Sequence, residues 1–178
     1  MSKFYQQKPA EVDALTPYEG HLVFEENREG ITFENLFAPW LKGASRIVVT
    51  DPYIRKFYQV QNMMDFLVMI LLSKTSEDHI AVELVTTPND YYTVRQTDSL
   101  NKIVASFQSA TGIDFSWSYD DSKTSHARHI VTDTRWKISL DRGLDIFQHF
   151  PAGDTLSLVN RLQRRRAVKT FEVTHLRI

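Results

Sequence analysis

Residues 45–85 read SRIVVTDPYIRKFYQVQNMMDFLVMILLSKTSEDHIAVELV, and they set the class of fold. The β-branched run 45–50 predicts a buried strand, which must stop at Asp51-Pro52 because proline cannot donate a hydrogen bond in a central strand. Apolar side chains then recur every three or four residues over 58–74, which predicts an amphipathic helix. Residues 80–85 predict a second buried strand. This succession indicates a βαβ unit, and therefore an α/β domain with parallel strands in its sheet.

The alternation of strands and helices continues on both sides of this unit. A strand is expected at 21–26 and a short helix over 32–43. On the other side, a long amphipathic helix is expected over 90–111, capped by Asn89 or Asp90. We therefore expect helices near 58–74 and 90–111 packed on the sheet.

After residue 112 the pattern changes to strands alone. The candidates lie at 113–119, 126–132, 135–140, 156–159 and 171–178. Short strands joined by tight turns favour antiparallel pairing. We therefore expect a single α/β domain at 18–178, with a mixed β-sheet flanked by helices. Its strands should be parallel in the first part of the chain and antiparallel in the second. Residues 1–17 are polar and contain two prolines, which predicts an N-terminal arm.

The composition excludes several classes of protein. With 42% hydrophobic and 24% charged residues among 178, the chain is neither disordered nor fibrous. It has no cysteine, which excludes disulfides and cysteine-ligated metals. We expect no cofactor and no metal, because the six glycines form no phosphate loop and no His-Glu-x-x-His motif occurs. No secretory signal or membrane span is visible, so we expect a cytoplasmic protein that can lie at the membrane periphery.

The charge is divided unevenly along the chain. Residues 1–122 carry 10 basic and 17 acidic side chains, whereas residues 123–178 carry 11 and 5. The densest basic run is Arg164, Arg165 and Arg166. A basic segment in a protein of net charge −1 suggests an anion-binding surface, although a solvated face would have the same composition.

The densest group of reactive side chains is His126-Ala-Arg128, followed by Asp133. If His126 and Arg128 belong to one strand, they point to the same face. Arginine can hold phosphate oxygens, and a neutral imidazole can act as a nucleophile or base. An acidic residue such as Asp133 can orient the imidazole. The motif therefore predicts a site for a phosphate group, with these three residues as its catalytic set if it is active.

This spacing resembles the phospholipase D signature, His-x-Lys-x4-Asp, with Arg128 in the position of the lysine. The Gly-Ser-x-Asn stretch that follows in that signature is missing. Other segments agree in order: Asp51-Pro-Tyr-Ile-Arg55, Trp136-Lys-Ile and Arg142-Gly-Leu-Asp145. Together they are similar to the MIT C-terminal domain family, the phospholipase D-like domain that follows a microtubule-interacting-and-trafficking (MIT) domain. The chain also resembles its bacterial branch, whose members occur with Lon-like ATPases of phage-exclusion systems.

The resemblance implies a phospholipase D-like fold, a homodimer and a basic surface for acidic phospholipid head groups. We expect a vestigial domain that binds a phosphate-bearing polyanion, either acidic phospholipid or a nucleic-acid backbone, as a targeting or interaction module of a larger system. Asp51 or Asp145 would hold Arg55 or Arg142 in place, supported by Tyr53 and Trp136. The predicted ligand-binding residues are Arg55, His126, Arg128, Lys137, Arg142, Arg164, Arg165 and Arg166.

Two alternatives remain open from the residues alone. The first is an active phosphodiesterase or nuclease. Since none of the other histidines begins a second such motif, its site would have to be shared across a homodimer. The second is that these charges pair with one another at the edge of the core and bind nothing.

Overall fold

A computed structural model describes residues 16–108, 111–120, 122 and 126–178. Most of the expected arm at 1–17 lies outside these residues. The strands are β1 (Gly20–Phe24), β2 (Arg46–Thr50), β3 (Ile80–Thr86), β4 (Ile113–Tyr119), β5 (His129–Thr132), β6 (Trp136–Leu140) and β7 (Phe171–Arg177). The helices are α1 (Phe33–Leu41), α2 (Phe57–Ser73), α3 (Thr93–Phe107) and the short α4 (Leu158–Arg161).

The strands form one mixed sheet in the order β1-β7-β6-β5-β2-β3-β4. The pairs β2–β3 and β3–β4 are parallel, as the βαβ pattern predicts, and the other pairs are antiparallel. The predicted α/β class and the mixed sheet are therefore confirmed. None of the described helices is long and apolar enough to cross a membrane.

Alternation along the strands sends one set of side chains into the core. Ile47 pairs with Val82, and Val49 pairs with Leu84 and Ile130, and all of these side chains are buried. Helices α1, α2 and α3 pack in succession over this face. The opposite face, called the open face below, carries partly buried or exposed side chains such as Val48, Glu83 and Val131.

The register defines two edges of the sheet. Thr50, Thr86, Tyr119, His129 and Leu140 mark the upper edge, where β2, β3, β4 and β6 end and β5 begins. The connection between β6 and β7, residues 141–170, leaves and returns at this edge. Because ligands usually bind at the carboxyl ends of parallel strands, the upper edge is where a site is expected.

Several predicted boundaries are wrong by a few residues. Helix α3 starts at Thr93 rather than at 90, because Asn89 Oδ1 accepts hydrogen bonds from the N–H groups of Tyr91 (3.0 Å) and Tyr92 (3.2 Å) and closes a turn before the helix. It also ends at Phe107, before 111. Strand β5 starts at His129, three residues later than predicted.

The predicted strand at 156–159 is also wrong. A 3-10 turn at Ala152–Leu156 and helix α4 occupy this part of the chain. Leu156, Leu158 and Val159 are exposed there, so their apolar pattern does not reflect a buried strand. The segment lies in the β6–β7 connection, where no neighbouring strand pairs with it.

Candidate anion-binding cleft

Tyr53 lies at the centre of the site at the upper edge. It follows β2 directly, because Pro52 takes the chain out of the sheet. The guanidinium carbon of Arg128 lies 4.1 Å from the centroid of the Tyr53 ring, and that of Arg55 lies 5.4 Å from it. The Tyr53 hydroxyl is 2.9 Å from His126 Nδ1. Two cations and an imidazole thus converge on one aromatic side chain.

Arg128 is held by the backbone rather than by an ion pair. Its Nη1 donates a hydrogen bond to the carbonyl of Asp141, and its own carbonyl accepts one from Leu140 N (3.1 Å). Its Nε is buried and has no hydrogen-bond partner among the described residues. No described carboxylate forms a salt bridge with Arg128. Its positive charge acts on the buried Asp51 carboxyl only through space.

Asp51 is buried beneath this arrangement, with 3% of its surface exposed. Its carboxylate accepts hydrogen bonds from Tyr53 N (2.9 Å) and Leu144 N (3.4 Å). Burial raises the pKa of Asp51 to about 6, although these N–H groups and the positive charge of Arg128 act in the opposite direction. Asp51 therefore organises the loop below Arg128 through its hydrogen bonds to backbone N–H groups.

Gly143 is required for this packing. Its φ is +59°, which is in the left-handed region, and a Cβ built there would lie 2.0 Å from Asp51 Oδ2 and 3.2 Å from Arg128 Cδ. Both the backbone angle and the space therefore favour glycine over any larger residue. The sequence shows this glycine, but nothing in the pattern indicates that it touches Asp51.

Arg55 borders a cleft of about 230 Å³ at the ends of β2, β3 and β4. Its Nε donates to the carbonyl of Pro52 at 2.8 Å, which fixes the guanidinium beside Tyr53. His126 and Thr86 also line the cleft, and the buried Thr86 Oγ1 has no hydrogen-bond partner among the described residues. Asp90 and Asp120 line it as well, so its wall carries acidic as well as basic groups.

Three predicted site residues lie elsewhere. Asp133 follows the far end of β5 at the lower edge, where it accepts hydrogen bonds from Ser45 N (3.1 Å) and from the Ser45 hydroxyl. The expected pairing of Asp133 with the His126 imidazole is therefore wrong, because β5 separates them and Tyr53 is the partner of His126. Trp136 is also near the lower edge, buried and stacked with Arg177. Lys137 lies on the open face, opposite Val131 and Leu176.

Arg142 and Asp145 do lie at the upper edge, but they are not partners. Arg142 Nε donates to the carbonyl of Thr170 at 2.6 Å. Asp145 instead forms a salt bridge of 2.9 Å with Lys169 and accepts a hydrogen bond from the Tyr58 hydroxyl (3.4 Å). The expected Asp51–Arg55 pairing is replaced in the same way, since Asp51 accepts from backbone N–H groups. The geometry of the loops decides which groups these charged side chains contact, and the spacing of residues in the sequence does not reveal that geometry.

The basic run at 164–166 divides into two parts. Arg164 and Arg165 are exposed in a 3-10 turn. Arg166 is partly buried, with its guanidinium carbon 4.6 Å from the Phe147 centroid and 5.2 Å from that of Phe150. It therefore packs on aromatic rings instead of joining a solvated strip.

These features define a phospholipase D-like domain, with its His-x-Arg segment entering the sheet at the upper edge beside the end of β2. Residues 30–177 match the family model described as the phospholipase D-like domain at the C-terminus of MIT, and the chain belongs to this family. It is also 30% identical over 132 residues to the mouse (Mus musculus) MIT domain-containing protein 1. That match covers 74% of this chain and 51% of the relative, so the chain spans about half the length of the curated relative.

Proposed function

We propose that this domain binds a phosphate group of a larger polyanion beside Tyr53, where Arg128 adjoins the cleft that Arg55 and His126 line, without hydrolysing it. The observation that carries the proposal is the convergence of Arg128, Arg55 and His126 on Tyr53. A guanidinium offers a planar pair of donors that fits phosphate oxygens. Since Arg128 is supported by an aromatic ring and a carbonyl, a phosphate would not have to displace a carboxylate in order to bind.

Three features favour binding over turnover. The Nδ1 atom of His126 faces the Tyr53 hydroxyl, and Asp133 is too distant to orient the imidazole. Arg128 replaces the lysine of the phospholipase D signature, and the two side chains are not equivalent at a tight phosphate site. Phospholipase D chemistry also uses two histidine motifs, and this chain has one. A shared active site in a homodimer is the alternative, and measurable turnover would favour it.

The polyanion could be an acidic phospholipid or a nucleic acid, because both present phosphodiesters. In either case the domain would act as a targeting or interaction module of a larger system. The homodimer, the peripheral position at a membrane and the association with Lon-like ATPases remain predictions from the resemblance. Exposed Arg164 and Arg165 lie in the connection at the upper edge and would add contacts that are sensitive to salt.

Isothermal titration calorimetry with inorganic phosphate tests the cleft directly. Arg128→Ala should weaken binding by at least about tenfold, because a charge-assisted bidentate pair is lost. Lys137→Ala is the matched control, since it removes a predicted cation that lies on the open face. Equal losses in both variants would contradict the proposal, as would robust hydrolysis of a generic phosphodiester that His126→Ala abolishes.

A further inference from the structure

A second concave surface lies beside the cleft, between the start of α2 and the part of α3 that extends to Lys102. We call it the helix groove, and its volume is about 390 Å³. Arg55 lines both the cleft and the groove, so the two surfaces are continuous. The groove residues used below are Lys56, Phe57, Tyr92, Arg95, Asp98 and Lys102.

Two aromatic side chains of this groove are exposed. Phe57 begins α2 and is 69% exposed, and Tyr92 directly precedes α3 and is 59% exposed. Neither ring belongs to the buried core, whereas Val60, which also lines the groove, is buried. Exposed aromatic rings in a concave surface are typical of sites that recognise flat ligands.

The same groove is positively charged. Lys56, Arg95 and Lys102 line it together with Arg55, and Asp98 is the acidic residue among its lining side chains. Neither α2 nor α3 has an acidic residue in its first turn. The positive ends of both helix dipoles therefore add to the cationic side chains rather than being compensated.

Hydrogen bonds of Gln96 brace the groove. Buried Gln96 donates through Nε2 to the carbonyls of Ile54 (2.8 Å) and Thr87 (2.9 Å), and its Oε1 accepts from Asn89 N (2.7 Å). These bonds tie the start of α3 to the loops that follow β2 and β3. Little ordering would therefore be needed when a ligand binds.

We propose that the helix groove binds single-stranded nucleic acid, with bases stacked on Phe57 and Tyr92 and the backbone passing Arg55 into the cleft. This inference rests on the proposed phosphate binding in the cleft. Exposed rings and cations in one groove are the two kinds of group that hold the bases and the phosphates of a single strand. A lipid head group offers no flat ring to stack, and a duplex hides the faces of its bases.

The test uses fluorescence anisotropy with a labelled oligo(dT) strand of about twelve nucleotides at low salt. The double change Phe57→Ala and Tyr92→Ala should weaken binding by at least about tenfold, because base stacking on two rings is lost. Leu158→Ala is the control, since Leu158 is 72% exposed and lies outside the groove. Arg95→Ala should lower the slope of log affinity against log salt by about 0.7.

Two further ligands, a duplex and a lipid vesicle, provide results that could overturn the inference. A duplex of the same length and vesicles rich in phosphatidylserine should bind more weakly than the strand, and without dependence on the two rings. Strand binding that is unchanged in the double variant, or ring-dependent binding to vesicles alone, would overturn the inference. The double variant should bind inorganic phosphate like the unaltered protein. If the unaltered protein binds inorganic phosphate but does not bind the strand, this inference fails and the proposed function stands.

Discussion

The guanidinium of Arg128 lies over the ring of Tyr53, with 4.1 Å between the guanidinium carbon and the ring centroid. This contact joins the loop after β2 to the segment that enters β5. An aromatic ring attracts a cation without cancelling its charge as a carboxylate would. The contact therefore orients Arg128 at the upper edge while leaving it able to bind an anion.

Removing the Tyr53 ring tests this role. Tyr53→Leu should weaken phosphate binding by about 2–5-fold, because a cation–π contact contributes about 0.5–1 kcal/mol at an exposed site. Tyr53→Phe keeps the ring under Arg128 and loses only the hydroxyl that contacts His126. Calorimetric titration should therefore place Tyr53→Phe between Tyr53→Leu and the unaltered protein. Identical affinities for all three would show that the ring does not position the cation.

Gly143→Ala should destabilise the protein far more than Gly30→Ala. Both glycines have positive φ, +59° and +84°, so each substitution costs about 1 kcal/mol from the backbone alone. At Gly30 a Cβ meets nothing within 4 Å, whereas at Gly143 it would collide with Asp51. We expect an extra loss of about 1–3 kcal/mol for Gly143→Ala in denaturant unfolding. Equal losses at the two positions would contradict the close packing of Asp51 against Gly143.

The sequence predicts the regular part of this fold well. Helix α2 and strands β2 and β3 lie within about a residue of their predicted positions, because buried β-branched runs and a helical apolar stripe are strong local signals. The 156–159 strand fails because an apolar alternation in a connecting segment has no neighbouring strand to pair with. Periodicity describes local preference, whereas pairing depends on the rest of the sheet.

The arrangement of the site is harder to predict from the sequence. The association of His126 with Arg128 is visible as a motif, and Asp51-Pro52 marks the loop beside them. The central position of Tyr53 is not visible, because it depends on how two loops distant in sequence meet. For Lys137, alternation with Trp136 and Ile138 indicates the open face, but the sequence does not reveal that its neighbours there are Val131 and Leu176.

Asp51 should make stability fall as the pH rises. Burial raises the pKa of Asp51 to about 6, whereas an aspartate in the unfolded chain titrates near ~3.9. The folded protein thus holds the proton more tightly than the unfolded chain does. The resulting contribution to the free energy of unfolding, roughly 2–3 kcal/mol, is complete below about pH 4 and is lost as the pH rises to about 6. Asp51→Asn should flatten this part of the stability curve. An NMR titration of the carboxyl carbon that shows a midpoint near ~4 would contradict the expectation.

His175 should have the opposite effect. It is fully buried, stacked on Trp40 with ring centroids 3.8 Å apart, and its Nε2 lies 2.9 Å from the carbonyl of Leu36. Burial lowers the pKa of His175 to about 4, although the Leu36 carbonyl acts in the other direction. In the unfolded chain the imidazole titrates near ~6.5. The contribution of His175 to the free energy of unfolding, roughly 3 kcal/mol, is therefore present above that pH and is lost as the pH falls to about 4.

His175→Phe should remove this acid sensitivity, whatever its effect on stability at neutral pH. Because Asp51 and His175 act in opposite directions over an overlapping pH range, each variant must be compared with the unaltered protein across pH 4–7 by denaturant unfolding. An unchanged dependence on pH in His175→Phe would show that the buried imidazole does not titrate in this range.

A crystal structure of the protein grown in phosphate tests the central claim most directly. The account predicts a phosphate at the upper edge, within hydrogen-bonding distance of Arg128 and next to Arg55 and His126. The same crystals of Arg128→Ala should lack this phosphate while retaining the fold. A cleft that stays empty in the unaltered protein, or phosphate bound only at Lys137 or at Arg164 and Arg165, would contradict the account.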